Sequence, residues 1–151
     1  MKTLDTWRVP VVLAATVLLG ACTNPASPGQ HLRAYGVLVL EDGEPLVRAM
    51  GTDVDGSLEV TAGASRGPLV VRMLDRDGDE MGPAQGYYLA VNEANASVAR
   101  WDQAVAGEYG GTLVGVGAGQ TQFEFCKMHG AIGGGHADGC QTVTVTVHAG
   151  T

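Results

Sequence analysis

In Gln141-Thr142-Val143-Thr144-Val145-Thr146-Val147-His148, valine alternates with polar residues without a break from Thr142 onward. A period of two puts Val143, Val145 and Val147 on one face of an extended strand and Thr142, Thr144, Thr146 and His148 on the other. Gln122-Phe123-Glu124-Phe125-Cys126 repeats the pattern, with Phe123 and Phe125 opposing Gln122, Glu124 and Cys126. Each run needs one buried face, and Leu69, Val71 and Met73 supply a third apolar row to pack against it. Outward from these runs, further strands are expected over 35–40, 45–49, 57–61, 69–74, 87–92, 97–101 and 112–116. Glu41-Asp42-Gly43-Glu44, Asp53-Val54-Asp55-Gly56 and Asp75-Arg76-Asp77-Gly78 read as the turns between them. Spacings of about ten residues, with no amphipathic helix, predict an antiparallel β-sandwich.

Composition agrees with that reading. The chain has 151 residues, of which 23 are glycine and 5% are aromatic. That length supports one domain, and its 45% hydrophobic content excludes a disordered chain. Sixteen acids against nine bases give a formal charge of −7, which argues against a nucleic-acid partner.

Residues 1–21 read as an export signal: Lys2 and Arg8 precede an apolar run from Val9 to Ala21. As a helix that run spans about 20 Å, short of the roughly 30 Å hydrocarbon core of a bilayer. It ends in Leu19-Gly20-Ala21-Cys22, which resembles the lipobox of bacterial lipoproteins. The resemblance implies cleavage before Cys22 and a diacylglycerol on its sulfur, so that the membrane partner is reached through lipid. Thr23 stands where an aspartate would resemble an inner-membrane retention signal, so an outer-membrane location in the cell envelope is expected. The alternative is an ordinary cleaved signal followed by a chance cysteine. Residues 22–32, with Pro25 and Pro28, read as a flexible tether, and 33–151 as the sandwich domain.

If Cys22 carries lipid, Cys126 and Cys140 remain as an even pair, and an oxidising envelope favours a disulfide between them. Placed opposite each other, they set Glu124 against Thr142 and Phe123 against Val143, so every pair falls on a matching face. Such a disulfide staples the intervening loop, a closure worth roughly 3 kcal/mol.

That loop carries His129, His136 and Asp138 among glycines, and three readings stay open. It is a stapled surface loop with solvated histidines, and no cofactor is expected. It keeps the disulfide while His129, His136 and Asp138 hold Zn²⁺ or Cu²⁺. Or it has reduced thiols, and Cys126, His129, His136 and Cys140 form a four-ligand zinc set. Phe123-Glu124-Phe125-Cys126-Lys127-Met128-His129 also resembles the copper-binding end of cupredoxins, which implies copper on Cys126 and His129. No methionine follows in the loop, and the upstream histidine is His31.

The G-[ST]-L strand, glycine turn and apolar strand recur at Gly56-Ser57-Leu58 and Gly111-Thr112-Leu113. With the closing Val-Thr-Val-Thr-Val, this is similar to bacterial immunoglobulin-like domains. The similarity implies an all-β, antiparallel immunoglobulin-like sandwich of about seven to nine short strands. It also implies a binding module, not an enzyme.

Gly63-Ala64-Ser65-Arg66-Gly67 satisfies G-x-S-x-G, and Ser65, Asp102 and His129 follow hydrolase order. That chemistry needs a strand-to-helix turn, whereas Pro68 and an apolar strand follow here. Asp75-Arg76-Asp77-Gly78-Asp79-Glu80 begins like a calcium loop but reads as an acidic turn. The functional expectation is an exported, lipid-anchored, non-enzymatic module that contacts another envelope protein. A metal-binding lipoprotein using the His129/His136 loop is the alternative, and a serine hydrolase at Ser65 the third.

Overall fold

The computed structural model describes residues 32–150; the expected leader, Cys22 and the tether up to His31 lie outside them. The described residues form eleven strands and no helix. They are β1 (Gly36–Glu41), β2 (Glu44–Met50), β3 (Asp53–Gly56), β4 (Leu58–Thr61), β5 (Ser65–Leu74) and β6 (Glu80–Met81). There follow β7 (Tyr87–Glu93), β8 (Ala99–Asp102), β9 (Gly110–Gly115), β10 (Gly119–His129) and β11 (His136–His148). One sheet runs β3-β2-β1-β5-β9-β8, with β6 paired to β5; the other runs β4-β11-β10-β7. The chain is thus an all-β, two-sheet sandwich.

Alternation builds the interior. Phe123, Phe125, Val143, Val145 and Val147 from the four-stranded sheet meet Val37, Val39, Leu69, Val71, Met73, Trp101 and Leu113 from the other. The phenylalanine and valine rows therefore face inward as their parity requires, with Leu69, Val71 and Met73 opposite. Trp101 stands edge-on to Phe125, ring centroids 5.3 Å apart, and bridges the two layers.

The Asp-Gly turn at 42–43 forms as its sequence demands. Glu41 pairs with Glu44, leaving a two-residue loop in which Asp42 and Gly43 have φ of 51° and 85°. Positive φ at both positions matches the right-handed twist of the flanking strands, and glycine supplies it without strain. Asp75 orders the next acidic turn, its Oδ1 accepting from the backbone N–H groups of Asp77 and Asp79.

Three features correct the expectation. All nine expected strands form, but β3 and β6 bring the number among the described residues to eleven. Asp53-Val54-Asp55-Gly56, read as a turn, is the edge strand β3, and the turn falls at Gly51-Thr52 instead. Every residue of β3 is exposed, so backbone pairing with β2 holds it in place and burial gives it no periodic signal. The sheets are also not wholly antiparallel, because β4 runs parallel to β11, Leu58 beside Val145. Here the chain crosses from β3 in one sheet to β4 on the edge of the other, and no hairpin fixes the direction.

Gln141 ties the layers together from a buried position. Its Oε1 accepts from the Gly51 N–H at 2.9 Å, and its Nε2 donates to the Gly51 carbonyl at 2.8 Å. The amide thus replaces a missing strand partner for the β2–β3 turn.

Candidate metal site

The site is the turn end of the β10–β11 hairpin. Cys126 lies directly opposite Cys140, Glu124 opposite Thr142 and Phe123 opposite Val143. The two sulfurs are bonded, with Cα atoms 4.1 Å apart. Cys140 is exposed, but Cys126 is buried although its parity sets it on the polar face with Gln122 and Glu124. The ladder does not stop at the disulfide. A bulge shifts the register, Met128 then faces Ala137, and His129 faces His136. Asp138 and Gly139 therefore share the stretch opposite Lys127, and the loop shrinks to Gly130–Gly135. Gly139 has φ of 139°, and a Cβ there would run into the Ala34 carbonyl, so glycine is required where the incoming chain crosses the bulge.

This continuation brings the three loop residues together. One side-chain donor each from His129, His136 and Asp138 lies within 4.8 Å of the others. His136 Nε2 and Asp138 Oδ1 are 3.4 Å apart. The two imidazole rings meet edge to face, centroids 5.3 Å apart. The Asp138 side chain is 9% exposed and that of His136 is 62% exposed, so the set has a buried floor and an open rim. Tetrahedral Zn²⁺ with bonds of about 2.0–2.1 Å places its ligands roughly 3.3–3.4 Å apart. One edge of the set already has that length, and the other two are no longer than 4.8 Å.

Two residues that the sequence reading passed over complete the surroundings. Lys127 is 1% exposed, and its Nζ donates to the Leu32 carbonyl and stands 4.1 Å from the centre of the Tyr87 ring. Burial pulls its pKa below the usual lysine range, and the Asp138 charge opposes that shift. Tyr87 packs on His129 with ring centroids 4.7 Å apart and fixes the ring from the β7 side. Near Tyr87, burial pushes the Tyr109 phenol up to about 12, with the Tyr87 charge adding to the shift. Parity held the signal for Lys127, which shares the inward face with Phe123 and Phe125.

The alternative ligand sets are not assembled. Cys126 and Cys140 group with Glu124, separately from the histidines, and their sulfurs are bonded to each other. The four-ligand zinc set fails for that reason, and so does a copper thiolate on Cys126; His31 lies outside the described residues. Ser65 opens β5 beside Val114, and Asp102 closes β8 beside Thr112 in the same sheet. His129 closes β10 in the other sheet. The segment after Ser65 is strand, not the helix that a nucleophile elbow requires.

No protein-family model matches the chain, and no curated protein matches it.

Proposed function

We propose that this chain is an exported bacterial lipoprotein, anchored through Cys22 in the cell envelope, whose immunoglobulin-like sandwich is a non-enzymatic module binding a divalent zinc or copper ion. The observation that carries the reading is the convergence of His129, His136 and Asp138 within 4.8 Å on a hairpin closed by a disulfide. Imidazole nitrogens with one carboxylate oxygen suit these ions, and a stapled hairpin reduces the ordering needed to bind one. The lipobox at Leu19-Gly20-Ala21-Cys22 supports the anchor and the compartment. A second reading, contact with another envelope protein, is supported by a cleft of about 400 Å³ next to the loop, lined by Tyr88, Val91, Met128 and Ile132.

The test is metal analysis of the purified mature protein after loading and removal of excess ion. The native chain is expected to retain one equivalent and His129→Ala/His136→Ala none. Loss of a supporting outer-shell partner alone weakens metal sites by about 10–100-fold, so loss of two direct ligands exceeds the upper figure. Equal metal content in the two proteins rejects the reading. Intact-mass spectrometry of the same sample checks for the acyl group on Cys22.

A further inference from the structure

We infer that the turn end of the β10–β11 hairpin is a membrane-docking face: with the chain anchored through Cys22, as the reading above has it, Val105 and Ile132 rest in the headgroup layer of the bilayer. These are the two most exposed large apolar side chains among the described residues, 64% and 62% exposed. Their loops lie side by side. The Gly107 carbonyl accepts from the Leu89 N–H at 3.0 Å, and a Cβ built on Gly107 would stand 3.2 Å from Ile132 Cδ1. The two apolar tips therefore share one end of the sandwich.

Charge is kept out of both loops. Ala104-Val105-Ala106-Gly107 and Gly130-Ala131-Ile132-Gly133-Gly134-Gly135 contain no ionisable side chain, in a chain of which 17% is charged. Glu108, the acid that follows the first loop, is folded back on it. Its Oε1 accepts from the N–H groups of Ala104 and Val105 at 2.9 and 3.2 Å. His129 and His136 stand at the base of the turn, where β10 ends and β11 begins. Apolar tips gain by leaving water, whereas a charge brought against lipid loses its hydration.

What ties this face to lipid is the point where the chain enters the sandwich. Lys127, three residues before the turn, donates from Nζ to the Leu32 carbonyl, and the Ala34 N–H donates to the Asp138 carbonyl at 2.8 Å. The entering chain thus lies at the same end. Ten residues separate Cys22 from Leu32, and an extended chain advances at most about 3.6 Å per residue, so the lipid-bearing sulfur is within roughly 36 Å of it. Val116 marks the opposite end, because β10 starts just after it at Gly119 and runs eleven residues to His129, a rise of about 33 Å. A tether of that length holds the two tips near the bilayer at an effective concentration on the order of millimolar. A contact too weak to hold an unanchored chain is then occupied.

The experiment uses the acylated mature protein in phosphatidylcholine vesicles, with one added cysteine, Ile132→Cys or Val116→Cys, carrying a polarity-sensitive dye. Cys126 and Cys140 are bonded to each other and Cys22 carries lipid, so the added thiol alone reacts. The dye at 132 is expected to shift to the blue and to lose most of its emission when nitroxide-labelled lipid is included, and the dye at 116 to do neither. Val105→Asp in the Ile132→Cys chain is expected to reduce the quenching. An unquenched dye at 132, equal quenching at both positions, or quenching that Val105→Asp leaves undiminished each overturns this inference. A dye at 132 that ignores pure lipid and shifts only on adding detergent-extracted envelope proteins overturns it in favour of a protein contact. These outcomes leave the anchor standing, since the chain still floats with the vesicles. A mature chain that carries no acyl group and does not float defeats the anchor of the proposed function as well.

Discussion

Cys126→Ala/Cys140→Ala lowers the free energy of unfolding by about 3 kcal/mol, within the roughly 2–5 kcal/mol typical for removing a native disulfide from a small secreted domain. The bridge joins residues 14 apart in sequence across directly facing rungs of β10 and β11. Cutting it frees the unfolded chain to open a loop that the native hairpin keeps closed, so the unfolded state gains most of the entropy. For a domain of this size the loss corresponds to a fall of roughly 10–20 °C in melting temperature. The substitution also reaches the proposed metal site, because His129, His136 and Asp138 stand just beyond the bridge. Metal retention is expected to fall in the variant while the remaining strands keep their pairing. Urea denaturation of the native protein and the variant, each with and without reductant, checks the result. Equal midpoints for all four samples would show that the bridge contributes nothing.

Phe125→Ala carries the other large effect, about 3–5 kcal/mol. Phe125 is fully buried, pairs with Val91 and Gln141 on its two neighbouring strands, and meets Trp101 of the opposite sheet edge to face at 5.3 Å. Truncation removes the transfer free energy of the ring and leaves a void between the sheets that the strand ladders hold open. It also removes an aromatic contact worth about 0.5–1.5 kcal/mol beyond the buried area. Phe125→Leu, which retains most of the volume, is expected to cost clearly less. Denaturation midpoints of the two variants check the order, and a Phe125→Ala midpoint at the native value would contradict this account of the core.

Much of this arrangement is legible before any coordinates. The Val143, Val145, Val147 row and the Phe123, Phe125 row announce their buried faces, and two cysteines placed opposite each other fix a register that Glu124–Thr142 and Phe123–Val143 then obey. Local chemistry also reveals the Asp42-Gly43 turn, since few residue pairs tolerate its backbone. What escapes is what depends on neighbours remote in sequence. β3 has no buried residue to mark it, and β6 is two residues long. The parallel seat of β4 on β11 follows from the chain changing sheets, which periodicity does not record. For the site, residue types pointed to His129, His136 and Asp138, but not to the bulge that unites them. Glycines between 130 and 139 suggested a loop through the whole interval, whereas backbone pairing carries both strands beyond the disulfide. Lys127 was readable from parity alone; a charged residue on an apolar face is improbable by burial statistics, and its partner Leu32 lies 95 positions away.

Lys127 has a practical consequence for handling the folded domain. It is the sole lysine among the described residues, and its ammonium is enclosed by the Leu32 carbonyl and the Tyr87 ring. An amine-directed dye, crosslinker or activated resin therefore meets no accessible ε-amino group on the native sandwich. Acylation at this position must wait for the surrounding structure to part, and its rate becomes a chemical clock for the opening of the very end of the molecule that carries the histidines.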